Sequence, residues 1–335
     1  MRDVHGTRPI PKRPRMSVAD RAKQFGAFDP LTGFSQAIRR KELEMEQLLE
    51  EKTEHIKMRK NRRVTMKLTF LIDNKTESTE CNAEWGLSIL IEANGEKVLM
   101  DQGASSMLVS NAKNMGIDLG EVDYATISHG HNDHTGGTEY FFDVNHKAPV
   151  YVHKDAFSYQ VALDLDGNIG IPWSEEFIEK NADRIIRTEG TYQINDHAWI
   201  IGNVPAIEGF TPTENFFIKV GNKLFPDQMQ HEQTLVIEDE KGLHVFSGCS
   251  HKGIVPILRY IQQEIPGRKI DSIVAGMHLF CATDEFIDQV ISEMKELGVR
   301  KVFPVHCTGM NAIIRFKSQM GDGVEIACAG DVFEI

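Results

Sequence analysis

Three histidines and an aspartate fall within six residues of this chain, in Ser128-His129-Gly130-His131-Asn132-Asp133-His134-Thr135-Gly136-Gly137. The cluster follows an apolar run, Tyr124-Ala125-Thr126-Ile127. Imidazole and carboxylate at that density are ligands for divalent ions, and a His-x-His-x-Asp-His pattern at a strand end can serve two ions at once. In an extended segment His129 and His131 project to the same side, because side chains alternate along a strand. Asp133 and His134 follow where the chain turns into a helix, and can face a neighbouring ion. The glycine pair is read as letting the backbone pass close to the metals without a Cβ clash.

Four ligands do not complete two sites, so further histidines are expected at strand ends. Val245-Phe246-Ser247-Gly248-Cys249-Ser250-His251 supplies His251, Ile273-Val274-Ala275-Gly276-Met277-His278 supplies His278, and Val302-Phe303-Pro304-Val305-His306 supplies His306. Each stands at the C-terminal end of an apolar run, where α/β proteins collect ligands. Cys249 and Cys307 flank these positions as soft ligands, oxidation-sensitive thiols or inert buried ones. No P-loop, dinucleotide fingerprint or Gly-x-Ser-x-Gly occurs.

The elements that must position these residues are legible as patterns. Strand-like runs are 64–72, 87–91, 97–100, 124–128, 149–152, 198–201, 234–238, 243–247, 272–276 and 301–305, with Asn94-Gly95 as a hairpin turn. Helices are predicted near 105–115, 135–142, 174–181, 253–264 and 284–297. Two sheets packed together with helices outside would accommodate that order.

The chain has 335 residues, 41% of them hydrophobic, and a net charge of −12. The charge is uneven. Residues 1–63 carry 16 basic and 9 acidic residues, a balance of +7, and the remainder is −19. That sign change predicts two parts, a basic helical extension (1–63) and a catalytic domain (64–335). The acidic body argues against direct nucleic-acid binding by the catalytic domain. No apolar run reaches membrane-spanning length and the N-terminus lacks the apolar core of a secretory signal. Five cysteines without a CxxC pair read as reduced thiols, and a cytoplasmic location is expected.

Within the extension, a short helix is expected over 16–25, capped by Ser17, and a long charged helix from about 34 to 60. Arg13-Pro14-Arg15-Met16-Ser17, Asp20 through Phe25, Phe28 and Leu31-Thr32-Gly33-Phe34 resemble the YolD-like family of small Firmicute proteins. The resemblance implies an interaction role, with a protein partner bound through residues 1–63.

A more extensive resemblance covers about residues 66–335. Glu84-Trp85-Gly86-Leu87 through Glu92, Val98-Leu99-Met100-Asp101-Gln102-Gly103, the His-x-His-x-Asp-His core, Gly248-Cys249-Ser250-His251-Lys252-Gly253, Gly276-Met277-His278-Leu279 and His306-Cys307-Thr308-Gly309 occur in order. Together they resemble the metallo-β-lactamase superfamily, in the branch that contains 7,8-dihydropterin-6-methyl-4-(β-D-ribofuranosyl)aminobenzene-5′-phosphate synthase. The resemblance implies an α/β (α+β) fold, the αββα sandwich, with metals at one edge between the sheets. It implies that His129, His131 and His251 bind one ion and that Asp133, His134 and His306 bind the other. Asp101 would support the metal loop by hydrogen bonding. Cys249 stands where many superfamily hydrolases carry a bridging aspartate, which leaves His251, Cys249 or water to bridge.

Two divalent ions, zinc first and manganese or iron as alternatives, can share a water and clamp attacking and leaving oxygens. The expected function is therefore hydrolysis of a phosphorylated or ester small molecule. Asp133 would be ligand and orienter of the nucleophile, and His278 a ligand or a contact to developing negative charge. The synthase-type transfer that releases diphosphate is the alternative, ranked second because a YolD-like segment implies a Firmicute. An iron-dependent redox reaction on the same ligands and an interaction protein acting through the N-terminal helix are the others. Substrate would enter over residues 153–190 and 205–232, which carry His153, Tyr159, Trp173, Lys219 and His231.

Overall fold

The computed structural model describes residue 41 and residues 66–163, 167–210 and 215–335. The two helices expected within the extension, and the YolD-like match, lie outside the described residues. The body begins with β1 (Lys67–Ile72), β2 (Ser88–Ala93) and β3 (Glu96–Met100), followed by α1 (Met107–Asn114), β4 (Tyr124–Thr126), α2 (Asn132–Thr135) and α3 (Thr138–Val144). It continues with β5 (Val150–His153), β6 (Tyr159–Ala162), α4 (Glu175–Lys180), β7 (Ile185–Thr188), β8 (Thr191–Asn195) and β9 (Ala198–Gly202). Next come β10 (Phe216–Val220), β11 (Lys223–Pro226), β12 (Gln233–Asp239), β13 (Gly242–Ser247), α5 (Ile254–Glu264) and β14 (Ile270–Ala275). The chain closes with α6 (Asp284–Glu296), β15 (Lys301–Pro304), α7 (Met310–Met320) and β16 (Val332–Glu334).

One sheet runs β16-β1-β2-β3-β4-β5-β7 and a second β15-β14-β13-β12-β9-β8, with a small third sheet β11-β10-β6. Sequence alternation explains how both large sheets are buried on two faces. In β2, Ile89 and Ile91 join the core between the sheets while Leu90 faces α1 and α3; in β14, Val274 points inward while Ile273 and Ala275 face α5, α6 and α7. Strands buried on both sides read as continuous apolar runs, which is why these segments stood out in the sequence. The result is the four-layered αββα sandwich.

Helix patterns follow the same logic. In α6, Ile287, Val290, Ile291 and Met294 are buried, and Thr283 Oγ caps the first turn by accepting from Phe286 N–H. The β2–β3 hairpin turns at Asn94 and Gly95, both with positive φ (53° and 82°), as a type I′ turn requires. All five expected helices are present. Helix α7 was not foreseen: it starts at Gly309 with no side-chain cap, and only Ala312, Ile313 and Phe316 are buried. Strands β6, β7, β8, β10, β11 and β16 were also missed; β8, β10, β11 and β16 have no buried residue, so no apolar run marks them.

The topology decides where chemistry collects. Strands β3, β4, β5 and β7 are mutually parallel, as are β13, β14 and β15. Asp101 follows β3, His129 follows β4, Cys249 and His251 follow β13, His278 follows β14, and His306 follows β15. All of them therefore leave at one edge of the sandwich.

Candidate metal centre

The loop after β4 closes onto the one-turn helix α2, so that His129 and His131 face each other and Asp133 and His134 turn toward the second sheet. His129 Nε2 lies 3.0 Å from His131 Nδ1 and 3.3 Å from His251 Nε2. Asp133 Oδ2 lies 3.5 Å from His134 Nε2 and 3.3 Å from His306 Nε2, and Cys249 Sγ lies 3.2 Å from His134 Nε2. Ligand atoms held about 2.0–2.3 Å from one tetrahedral ion sit about 3.3–3.7 Å from one another. The observed spacings of 3.0–3.5 Å lie within or slightly below that range, as for two groups of ligands around neighbouring ions. Cys249 belongs to both groups: it is within 4.8 Å of the His129 and His251 ligand atoms, and equally of those of His134 and His306.

The orientation of each ring is set from behind. Asp101 Oδ2 is 2.7 Å from His134 Nδ1 and also accepts from Ser128 Oγ at 2.7 Å, while its Oδ1 accepts Ser128 N–H. Ser128 Oγ then faces His129 Nδ1 at 2.9 Å, and Asn74 Oδ1 faces His306 Nδ1 at 2.8 Å. In each case an oxygen is placed to take the Nδ1 proton, which aims Nε2 at the centre; its lone pair is free in the neutral ring, and in His134 once metal displaces the second proton. His306 Nε2 makes no hydrogen bond among the described residues, although it is buried. An inward lone pair with no donor opposite suits a metal ion. Chemistry and geometry of the donor set therefore fit a divalent pair.

Charge at the site follows burial. Desolvation holds His129, His131 and His251 well below the usual imidazole range, and neighbouring imidazoles add to this. These rings stay neutral, as metal ligands must. For His134 burial acts in the same direction, but the Asp133 and Asp101 carboxylates outweigh it and raise the ring to about 9. Burial pushes the Cys249 thiol up; for Asp133 it is outweighed by His134 and His306, which hold the carboxyl low.

Backbone strain concentrates here as well. Asp101, Ser250, His278 and His306 all have positive φ, between 49° and 55°. Non-glycine residues in that region persist only where the surroundings impose it, which is a pattern of functional sites. The glycine pair has a different neighbour from the one expected. A Cβ on Gly136 would lie 2.1 Å from Ala104 O and one on Gly137 would lie 1.9 Å from Gln102 O. These glycines let α2 and α3 pack onto the Asp101 loop rather than approach the metal positions.

The expected ligands His129, His131, Asp133, His134, His251 and His306 converge, with Asp101 behind them and Cys249 between. His278 lies at the rim, its ring 4.8 Å from that of His251. Of the residues expected to admit substrate, His153 is buried 2.9 Å from Asn203 Oδ1, and Trp173 is buried with Nε1–H donating to Thr135 O. Both are packing residues. His231 supports the site, accepting Gly130 N–H at Nδ1. Tyr159 and Lys219 pair on the small sheet, 5.2 Å from ammonium to ring.

Several residues were not visible in advance. Asp73 accepts His306 N–H, and Glu232 accepts the backbone N–H groups of His251 and Lys252 at 2.6 and 2.8 Å. An aromatic collar surrounds the opening: Trp85 packs on His306 (5.3 Å), Phe280 on His278 (5.0 Å) and Phe216 on His131 (4.9 Å). Trp85 and Phe280 are half exposed and in edge contact with each other. A large aromatic residue left open beside a ligand histidine would have been the available signal.

A four-layered αββα sandwich with histidines at one edge defines a class, and sequence comparison agrees. The metallo-β-lactamase superfamily model matches residues 86–209. The chain belongs to the metallo-β-lactamase superfamily, whose members bind divalent metals. It is 29% identical over 266 residues to 7,8-dihydropterin-6-methyl-4-(β-D-ribofuranosyl)-aminobenzene-5′-phosphate synthase of Methanocaldococcus jannaschii, covering 75% of this chain and 90% of that one. A second protein of the same organism, uncharacterised, is 31% identical, with 77% and 96% covered. The crystal structure of Tm1679, described as a metal-dependent hydrolase of the beta-lactamase superfamily, superimposes with a TM-score of 0.70 at 31% identity, covering 81% of this chain and 99% of that one. The synthase relative agrees with the transfer alternative better than with the hydrolysis expected first. Among the described residues no helix is long and apolar enough to cross a membrane.

Proposed function

We propose that this protein is a two-metal transferase that joins a flat aromatic acceptor to a carbon bearing diphosphate, with release of diphosphate. The observation that carries the metal reading is the set of three rings, His129, His134 and His306, each held at Nδ1 by an oxygen and aimed inward at Nε2. His129, His131 and His251 would hold one ion, and Asp133, His134 and His306 the other. Cys249 takes the shared place that an aspartate fills in many relatives. A sulfur ligand there favours zinc or iron over manganese. When bound, such a pair neutralises the charge that develops on a departing phosphate.

The chain's own residues supply the rest. Trp85, Phe280 and Phe216 offer faces and edges for ring substrates at the opening. His278 at the rim is placed to contact phosphate oxygens, and Asp133 orients the attacking group. Support for transfer comes from the synthase relative, whose product joins a dihydropterin to an aminobenzene. Hydrolysis of a phosphorylated or ester metabolite is the second reading, favoured by the likeness to Tm1679. The five cysteines, all free thiols, support a reducing, cytoplasmic setting. The division of the chain at Arg63/Val64 supports a separate N-terminal extension for a protein partner.

The test is to load purified protein with zinc, supply a pterin-methyl diphosphate, and measure diphosphate release with and without an aromatic amine. Transfer requires release that rises with the amine and yields one coupled product. Release that ignores the amine means hydrolysis, and no release from any phosphorylated substrate removes both readings.

A further inference from the structure

Strands β13, β14 and β15 end side by side in parallel, and each contributes one metal-binding side chain that the two positions above leave partly or wholly unused. Cys249, His278 and Cys307 have their ligand atoms within 4.8 Å of one another. Cys307 Sγ faces the Cys249 carbonyl at 3.8 Å and accepts His278 N–H at 3.4 Å. Amide donors to sulfur stabilise a thiolate and are common behind metal-bound cysteines. Both thiols are buried.

The surrounding backbone is shaped to hold this group. A Cβ at Gly276 would lie 2.9 Å from Cys307 Sγ and 2.2 Å from Gly248 O, so only glycine admits the thiol between the two strand ends. His278 is held at φ 49°, its ring between His251 and Phe280. The donor set of two sulfurs and one imidazole differs from the nitrogen- and oxygen-rich positions beside it. It matches a thiophilic ion such as Zn2+, Cd2+ or Cu+, and not Mg2+, Ca2+ or Mn2+.

We propose that Cys249, His278 and Cys307 form a third metal position, selective for thiophilic cations, that adjoins the two-metal centre and shares Cys249 with it. Binding there forms two metal–sulfur bonds; the Cys307 proton leaves to solvent, and the Cys249 proton leaves with it only when the neighbouring centre is empty and has not already displaced it, with no change of oxidation state. Because Cys249 is common to all three groups, an ion in the third position draws the thiolate away from His134. A soft ion there is therefore inhibitory to the centre while remaining bound to the protein.

The inference shares Cys249 with the two-metal reading but has its own readout. Chelator-stripped full-length protein is titrated anaerobically with Co2+, following sulfur-to-cobalt charge-transfer absorption, and with 113Cd2+, followed by NMR. The expected wild-type result is about three bound equivalents, with one 113Cd resonance shifted as for a two-sulfur site. Cys307→Ser and, independently, His278→Ala should each lose about one equivalent; Cys307→Ser should also lose the two-sulfur resonance. Saturation at two equivalents, with absorption indifferent to Cys307→Ser, overturns the third position and leaves the two-metal reading standing. A single two-sulfur equivalent that survives His131→Ala and is lost in Cys307→Ser supports the third position while the two-metal reading fails. Should both variants misfold, the wild-type 113Cd spectrum decides: no two-sulfur resonance refutes the proposal.

Discussion

The second sheet carries buried histidines at both of its ends, and the two ends behave in opposite ways. At the end away from the metal centre, His244 pairs across the parallel ladder with Ser272. Its Nδ1 is 2.7 Å from Ser272 Oγ and its Nε2 is 2.8 Å from Asp239 Oδ1. A serine, a histidine and an aspartate thus stand in line with buried side chains, and an oxygen lies close to each ring nitrogen, although His244 Nε2 is not aligned for a hydrogen bond to Asp239. At the other end His306, with His129 and His134 from the loop after β4 of the first sheet, has an oxygen at Nδ1, and the Nε2 atoms of all three face further candidate ligands: His131 and His251, Cys249 and Asp133. The same residue type closes a core at one end and opens a site at the other. What separates them is the company of the second nitrogen: one carboxylate at the closed end, and a cluster of further imidazole, thiol and carboxylate ligands at the open one.

The largest expected effect is at the open end. Stripping metal with a chelator, or His131→Ala, should lower turnover by about 1,000-fold or more, because ions at such a site supply several kcal/mol of transition-state stabilisation. Turnover and metal content measured together check this; full activity in metal-free protein would break the comparison.

The metal-free protein should also carry a pH signature. His129, His131 and His251 are held below their unfolded value of about 6.5, so below that pH the unfolded chain binds protons that the native one refuses. Stability then falls with falling pH, by up to about 1.4 kcal/mol per pH unit for each ring. His134, raised to about 9, acts oppositely: its contribution is complete below about 6.5 and fades as pH climbs through 9. Denaturant melts between pH 5 and 10 should show a maximum between these limits, and bound zinc should steepen the acid side, because it also displaces the His134 proton. A flat profile would mean the rings are not desolvated as described.

Asp101→Asn should weaken metal binding by about 10–100-fold, as expected for the partner behind a ligand histidine. Competition with a coloured chelator measures it, with circular dichroism to confirm folding. The smallest effect sharpens the contrast from the closed end. His244→Leu leaves Ser272 and Asp239 without their partner and should cost about 1–3 kcal/mol of stability. It should leave metal content and turnover unchanged. A loss of metal there would show that the two ends are coupled.

Much of this was legible in order along the chain. The His129–His134 cluster and the strand-end positions of His251, His278 and His306 followed from continuous apolar runs and residue spacing, and the αββα fold from the resemblance those motifs carry. Other parts were not. Glu232 and Asp73 act through backbone N–H groups of residues distant in sequence, and no local pattern marks such an acceptor. Trp173 and His153 looked like substrate contacts because they sit in irregular segments, but burial and a carbonyl or amide partner made them packing residues. Strand β16 exposes Val332 and Glu334, so no apolar run marks it, whereas the equally short β4 is buried throughout and was legible.

The sequence by itself determined the ligand types and the strands that end in histidine, because those depend on local spacing and on apolar runs, and its ordered motifs carried the resemblance to the superfamily. Tertiary structure alone decided which Nδ1 atom meets which oxygen, and therefore where each lone pair points. It also decided that Cys249 stands between two ligand groups with Cys307 beside it, since that depends on parallel strands from distant segments ending at one edge. Ring orientation and shared ligands are properties of several chain segments meeting at once, and no single segment encodes them.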